Sequence, residues 1–289
     1  MNYLIHILIM IGIYIILTQS LNLVIGYTGL LSLSQAAFYG IGAYATTLLM
    51  MNFNLNFFIA LVIAMMISAL LSLIVAIPSL RFKGDYFVLA TLGFQIIIFS
   101  ILYNWVSFTR GPYGIPGIPS PSLFGFSFDE PWKFLILSTV FASLVIYLFH
   151  IITKSQFGRT LKAIREDELA TKILGKNTFI FKIKAFTLSA AISSIAGALY
   201  ATYVTYIDPT SFTIDESLFM VIILAIGGTG NIVGPIIGSI ILVIFPEVLR
   251  FLQIPDTIAP NIRVMIYATT LIILMRVRTK GIAGEYGFE

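Results

Sequence analysis

The sequence predicts an all-α, polytopic membrane protein, and three observations carry that prediction. Hydrophobic residues make up 58% of the 289 and charged residues only 10%, with 24 Phe, far from the composition of a water-soluble globule. The apolar residues fall in runs near the roughly 20 residues that one helical crossing needs. The alternating pattern of a membrane β-barrel is missing, and backbone groups left in lipid must pair within a helix.

Taken in order, apolar segments lie at about 3 to 25, 36 to 51, 55 to 77, 86 to 106, 132 to 152, 185 to 207, 217 to 226, 232 to 251 and 262 to 276. These give eight to nine helical segments in a single transmembrane domain, 1–289. The first has no basic leader or small-residue cleavage site, so it reads as a retained span. Segments 36 to 51 and 217 to 226 are short and adjoin Gly-rich breaks; interrupted helices survive in lipid only where protein or a cavity shelters them.

Lys and Arg set the orientation. Eight of the 17 basic residues lie between Lys154 and Lys184, others at Arg81 and Lys83 and at Arg276, Arg278 and Lys280, so these three places are expected in the cytoplasm. Residues 107 to 131 and the linker DPTSFTIDE (208 to 216) then face outward. No Lys or Arg occurs before Arg81, which predicts an outward N-terminus.

IGYTG at 25 to 29 returns as IGGTG at 226 to 230. After each copy come an apolar segment, a polar linker (NFNLN, then LQIPD), a second apolar segment and an arginine (Arg81, then Arg276). This predicts two repeats of the same orientation, each with an interrupted helix. Gly26, Thr28 and Gly29 are expected to face Gly227, Thr229 and Gly230 across a translocation pathway, with Gln35 among its neutral polar groups. The bland alternative has the glycines permitting a close helix contact and the threonines bonding backbone carbonyls.

An enzyme's equipment is missing from the sequence. There is no phosphate loop, no nucleophile elbow, no HExxH and no Cys, and His6 and His150 stand singly at the ends of apolar runs, as interfacial side chains do. The polar groups within spans are mostly neutral (Gln19, Asn22, Gln35, Gln95, Asn104), with Glu216 at a segment edge and Glu247 and Arg250 near another end. Uphill transport would need energy from a partner. No metal, cofactor or nucleic-acid partner is expected; the surroundings are the lipid bilayer.

One stretch departs from this neutrality. GRTLKAIREDELATKILG, 158 to 175, holds seven charges in eighteen residues within a cytoplasmic loop spanning 153–184. Strong helix formers closing on Leu174-Gly175 predict one short helix. Its projection puts Ala163, Ala170 and Leu174 on one side, a small-residue face that admits another surface, with charges around it to fix register. A solvated loop helix explains the Lys and Arg but not Glu166-Asp167-Glu168.

GYTGLLSLSQAAFYGIGAY, RFKGDYFVLATLGF, GPYGIPGIP, GRTLKAIREDELATKILG, AFTLSAAISSIAGALYA and GGTGNIVGPIIGSIIL together resemble, in that order, the permease subunits of branched-chain amino-acid ABC importers, of the LivM type. The resemblance implies that Ala163, Arg165, Glu166, Asp167, Ala170, Leu174 and Gly175 couple to a cytoplasmic ATP-binding subunit, where ATP hydrolysis takes place. It implies a heterodimer with a homologous permease subunit, an extracytoplasmic substrate-binding protein, a bacterial inner-membrane location, and leucine, isoleucine and valine as cargo. The tail departs from the family: Arg278 is followed by Thr279, Lys280 and Gly281, without the usual Pro. A self-sufficient channel or facilitator for a small neutral solute such as urea fits the uncharged spans equally well.

Overall fold

A computed structural model describes residues 2–82, 84–123, 126–250, 265, 269 and 280–286. The expected segment 262 to 276, the linker LQIPD, Lys83, Arg276 and Arg278 lie outside the described residues, so the second half of the repeat is described only as far as Arg250.

The described chain is helical, with two pairs of two-residue strands in the outer loops (Ile115–Pro116 with Tyr206–Ile207, Ser122–Leu123 with Phe126–Ser127). The helices are α1 (Asn2–Thr28), α2 (Gln35–Phe53), α3 (Phe57–Ser79), α4 (Asp85–Asn104), the single turn α5 (Val106–Thr109), α6 (Pro131–Lys154), α7 (Gln156–Glu166), α8 (Glu168–Ile173), α9 (Thr178–Val204), α10 (Ile214–Gly227) and α11 (Val233–Arg250). Five of them, α1, α3, α4, α6 and α9, are long and apolar enough to cross a bilayer.

Helix α9 is the axle of the bundle, packed against α1, α2 and α3. Small residues make this possible. A Cβ on Gly42 would stand 2.3 Å from the Cα of Ser194, and one on Gly197 would stand 2.1 Å from the carbonyl oxygen of Tyr39. The two backbones therefore touch, which in lipid supplies the dispersion energy that water cannot. Around the crossing, polar side chains satisfy one another: Gln35 donates to Ser20 and Ser193, Ser20 and Ser193 share a 2.8 Å hydrogen bond, and Ser189 donates to the Ser20 carbonyl.

The chain does not simply cross and recross. Between α1 and α2, residues 29–34 are irregular and turn back inward, so that Gln35 at the start of α2 meets Ser20, about 12 Å up α1 from its end. The expected short segment 36 to 51 is thus a 19-residue helix, buried from Gln35 through Tyr44, that begins inside the membrane. The linker expected to lie outward, 208 to 216, also dips. Its 3₁₀ turn Pro209–Phe212 hangs below the end of α9, Phe212 is packed edge-on to Tyr39, and the Phe212 carbonyl accepts from Gln95, which is midway along α4. Irregular backbone at that depth is tolerated because it is enclosed by protein.

Candidate functional site

The charged surface expected to face the cytoplasm is built at the end of α6. Ser155 stops that helix in an extended conformation, and its hydroxyl accepts from the Gly158 N–H to start α7. Gly158, Leu161 and Ile164, three apart, form the buried face of α7. The stretch expected as one helix is then broken. Asp167 is extended (φ −152°), and its Oδ1 accepts from the N–H groups of Leu169 (2.8 Å) and Ala170 (2.9 Å), capping a second helix, α8. Helix α8 ends in a Schellman motif: Gly175, at φ +78°, donates to the Lys172 carbonyl and Lys176 to that of Thr171. The side-chain projection for a continuous helix is corrected accordingly, because Asp167 resets the phase between Ala163 and Ala170.

Of the seven positions singled out, all but Arg165 are exposed. Beside them stand Leu169 and Ile173, the largest apolar side chains on α8, at 68% and 86% exposure; with Leu174, just past the helix end at 78%, they turn outward. Leu169 and Ile173 escaped the sequence reading, which projected through the break; the N-capping signature of Asp167 was the signal that would have found them.

Arg165, Glu166 and Asp167 are bonded within the chain itself. Arg165 donates to the Ile25 carbonyl (2.9 Å) and to that of Gly26, so it caps the C-terminal end of α1, and its guanidinium lies over the Tyr286 ring at 4.3 Å. Glu166 accepts from the Tyr286 hydroxyl at 3.1 Å. Asp167 is the cap already described. Their neighbour Glu168 receives Lys182 (2.7 Å), Lys172 (2.9 Å) and the Thr178 hydroxyl (2.9 Å), fastening α8 to α9. Local structure therefore accounts for the acidic run that sequence alone left unexplained.

Partial burial by itself would raise the Glu168 carboxyl, but the hydrogen bonds from Lys182, Lys172 and Thr178 outweigh it and hold the group at about 2. A folded value below the unfolded one gives stability that is complete above about pH 4.5 and is lost as pH falls toward 2. Glu168→Gln should therefore loosen α8 by about 1 kcal/mol after allowance for solvent screening. Amide protection factors over 168–176, with the intrinsic pH dependence of exchange divided out, should fall in the variant, and in the parent on acidification from pH 5 to 3. Protection factors unaltered in both would contradict the fastening.

The two glycine motifs meet at the same end of the bundle. A Cβ on Gly26 would stand 2.7 Å from the Gly230 nitrogen; Asn22 accepts from the Gly230 N–H at 3.0 Å and donates to the Asn231 carbonyl, and Gln19 donates to that of Ile232. Thr28 and Thr229 are both buried, the first bonded to the Val24 carbonyl and the second to that of Tyr286. Gly227 packs on Gly234, where α10 turns into α11. The structure thus brings Gly26 and Gly230 into contact as a closed seam, while Gln35 stays in the serine cluster deeper in the bundle. Thr28 and Gly29 also border a cleft of about 630 Å³ shared with Arg81, Arg165, Glu168 and Lys182. Residues 280–286 lie over the seam: Ile282, Ala283 and Glu285 donate to the carbonyls of Ile226, Gly227 and Thr229, and Glu285 pairs with Lys162. Helix α7 is therefore joined to both motifs, by Arg165 to the first and through residues 285–286 to the second.

A family profile described as "Branched-chain amino acid transport system / permease component" matches residues 3–275. The chain belongs to this permease family. Among its relatives are the high-affinity branched-chain amino acid transport system permease proteins LivM of Escherichia coli strain K12, 36% identical over 261 residues, and of Salmonella typhimurium strain LT2, 35% identical over 261 residues. Each alignment takes in 82% of this chain and 61% of the relative, so the chain spans about three fifths of their length. A probable LivM of Methanocaldococcus jannaschii is 27% identical over 274 residues, covering 82% of this chain and 79% of that one. No solved structure matches.

Proposed function

We propose that the chain is a membrane-spanning permease subunit of an ATP-driven, binding-protein-dependent importer of branched-chain amino acids in a bacterial inner membrane. It forms half of the translocation path with a homologous permease subunit, receives cargo from an extracytoplasmic binding protein, and leaves ATP hydrolysis to cytoplasmic ATP-binding subunits. The observation that carries this reading is the outward apolar strip of Leu169, Ala170, Ile173 and Leu174 along α8, a short helix clamped by Asp167 and Glu168. Apolar side chains held rigidly in water, ringed by charge, fit a protein partner better than solvent. A self-sufficient facilitator has no use for such a surface.

In this reading the repeats run in the same sense, α1 and α2 corresponding to α10 and α11. Gly26, Thr28 and Gly29 with Gly227, Thr229 and Gly230 close the cytoplasmic end of the path, and Gln35 lies on its inner course. Movement of the ATP-binding subunits pulls α7, Arg165 draws the end of α1, and residues 285–286 draw the second motif. Because the chain has no Cys, Thr28→Cys and Thr229→Cys can be read without background. Both should resist a small hydrophilic thiol reagent in the assembled importer without ATP and react with it during turnover. Protection through the whole cycle would sink the gate and leave the seam as a packed helix contact.

A further inference from the structure

Sequence puts Glu216 at the edge of an apolar segment, beside an outward linker; the structure places it deep. Tyr14 donates to its Oε1 at 2.8 Å, and Tyr14 lies near the midpoint of the 27-residue α1, about 21 Å from Thr28. The next residue, Ser217, accepts from the Ala36 N–H at 2.9 Å and lies 3.4 Å from the Gln95 side-chain oxygen, again midway along α4. Two independent helices thus put Glu216 near the middle of the bilayer.

At that depth the carboxylate is poorly provided for. It is only partly buried, Tyr14 is its one hydrogen-bond donor among the described residues, and none of the four ion pairs among them includes it. A charge there costs several kcal/mol if its open side meets acyl chains, so that side faces a polar path or a cation. Its surroundings suit a small organic cation. Phe219 stands edge-on to Tyr14 with centroids 5.4 Å apart, and Tyr39 and Tyr200, whose rings are 5.5 Å apart, both pack on Phe212, four residues before Glu216. Aromatic faces beside a carboxylate bind a primary ammonium by charge, hydrogen bonding and ring quadrupole together.

We propose that Glu216 is a midplane binding residue for the ammonium group of the translocated amino acid. This rests on the importer reading above. The neutral groups nearby, Gln95 and Ser217, are engaged with backbone, which leaves Glu216 as the charged recognition element on this part of the path.

The test uses the assembled importer in liposomes. Glu216→Gln keeps the shape and an acceptor for the Tyr14 hydroxyl, and should lower L-leucine uptake about ten-fold or more, the scale of one charged hydrogen bond. Copurification of the paired permease and ATP hydrolysis stimulated by the binding protein should persist, and Glu216→Asp should restore part of the uptake. In the parent importer, reaction of Glu216 with dicyclohexylcarbodiimide should be slowed by L-leucine but not by isocaproate, which has the same side chain and carboxylate without the amine. Unchanged uptake by the Gln variant, or equal protection by the two ligands, overturns the proposal. Loss of the paired permease from the variant also overturns it, in favour of a cation on that subunit. Failure of the parent importer to move leucine at all would instead defeat the importer reading.

Discussion

Ala170→Trp is expected to abolish ATP-driven uptake while the chain still inserts and folds. Ala170 is exposed on α8, held there by the Asp167 cap and beside Leu169, Ile173 and Leu174, so an indole at this position meets solvent in the isolated chain. Its cost to folding should be within the few tenths of a kcal/mol usual for surface changes. The damage must come through whatever approaches that face, because a close interface has no room for an added ring. Uptake by the reconstituted importer and detergent-solubilised melting of the variant check the two halves of the expectation. Normal uptake would mean that nothing docks at α8; a melting temperature far below the parent's would mean that Ala170 is packed in the chain itself.

Gly197→Leu should act in the opposite way, removing the chain before any partner is involved. The atoms that a Cβ would strike are backbone, the Tyr39 carbonyl at 2.1 Å and the Ala43 nitrogen at 2.7 Å, and backbone cannot swing aside as a side chain does. Separating α2 from α9 also parts the Gln35, Ser20 and Ser193 hydrogen bonds, leaving polar groups unpaired in an apolar interior. Together these exceed the 1–3 kcal/mol typical of overpacking. The variant should yield no monodisperse peak on gel filtration in detergent, and even Gly197→Ala should melt earlier than the parent. A monodisperse Leu variant with the parent's melting temperature would contradict the α2–α9 contact.

Much of the fold was legible because lipid leaves so few choices. The apolar runs 55 to 77, 86 to 106 and 132 to 152 became α3, α4 and α6 within about two residues at most ends, since length and hydropathy alone decide a simple crossing. What linear order hides is depth. DPTSFTIDE reads as a surface loop from its Asp, Thr and Pro, yet Phe212 finds Tyr39 and Tyr200 and its carbonyl finds Gln95, so the loop is drawn to mid-membrane and takes Glu216 with it. Long-range partners are hidden likewise. Glu166 meets Tyr286, 120 residues away, and Glu168 meets Lys182 across a turn between helices, so an acidic run that suggested an interface is largely tied to its own chain. The exposed face of α7 and α8 was half legible. Ala163 and Ala170 are both exposed but on separate helices, and Leu169 and Ile173 come into view only once Asp167 is seen to restart the helix.

The central claim is that this chain moves solute only when energy enters through its cytoplasmic helices, and reconstitution into liposomes tests it most directly. The purified chain alone should show no concentrative uptake of leucine, isoleucine or valine under a proton or a sodium gradient; adding the paired permease, the ATP-binding subunits, the binding protein and ATP should start it. Rapid, saturable passage of urea through the chain alone, or concentrative uptake by it under an ion gradient, would contradict the account.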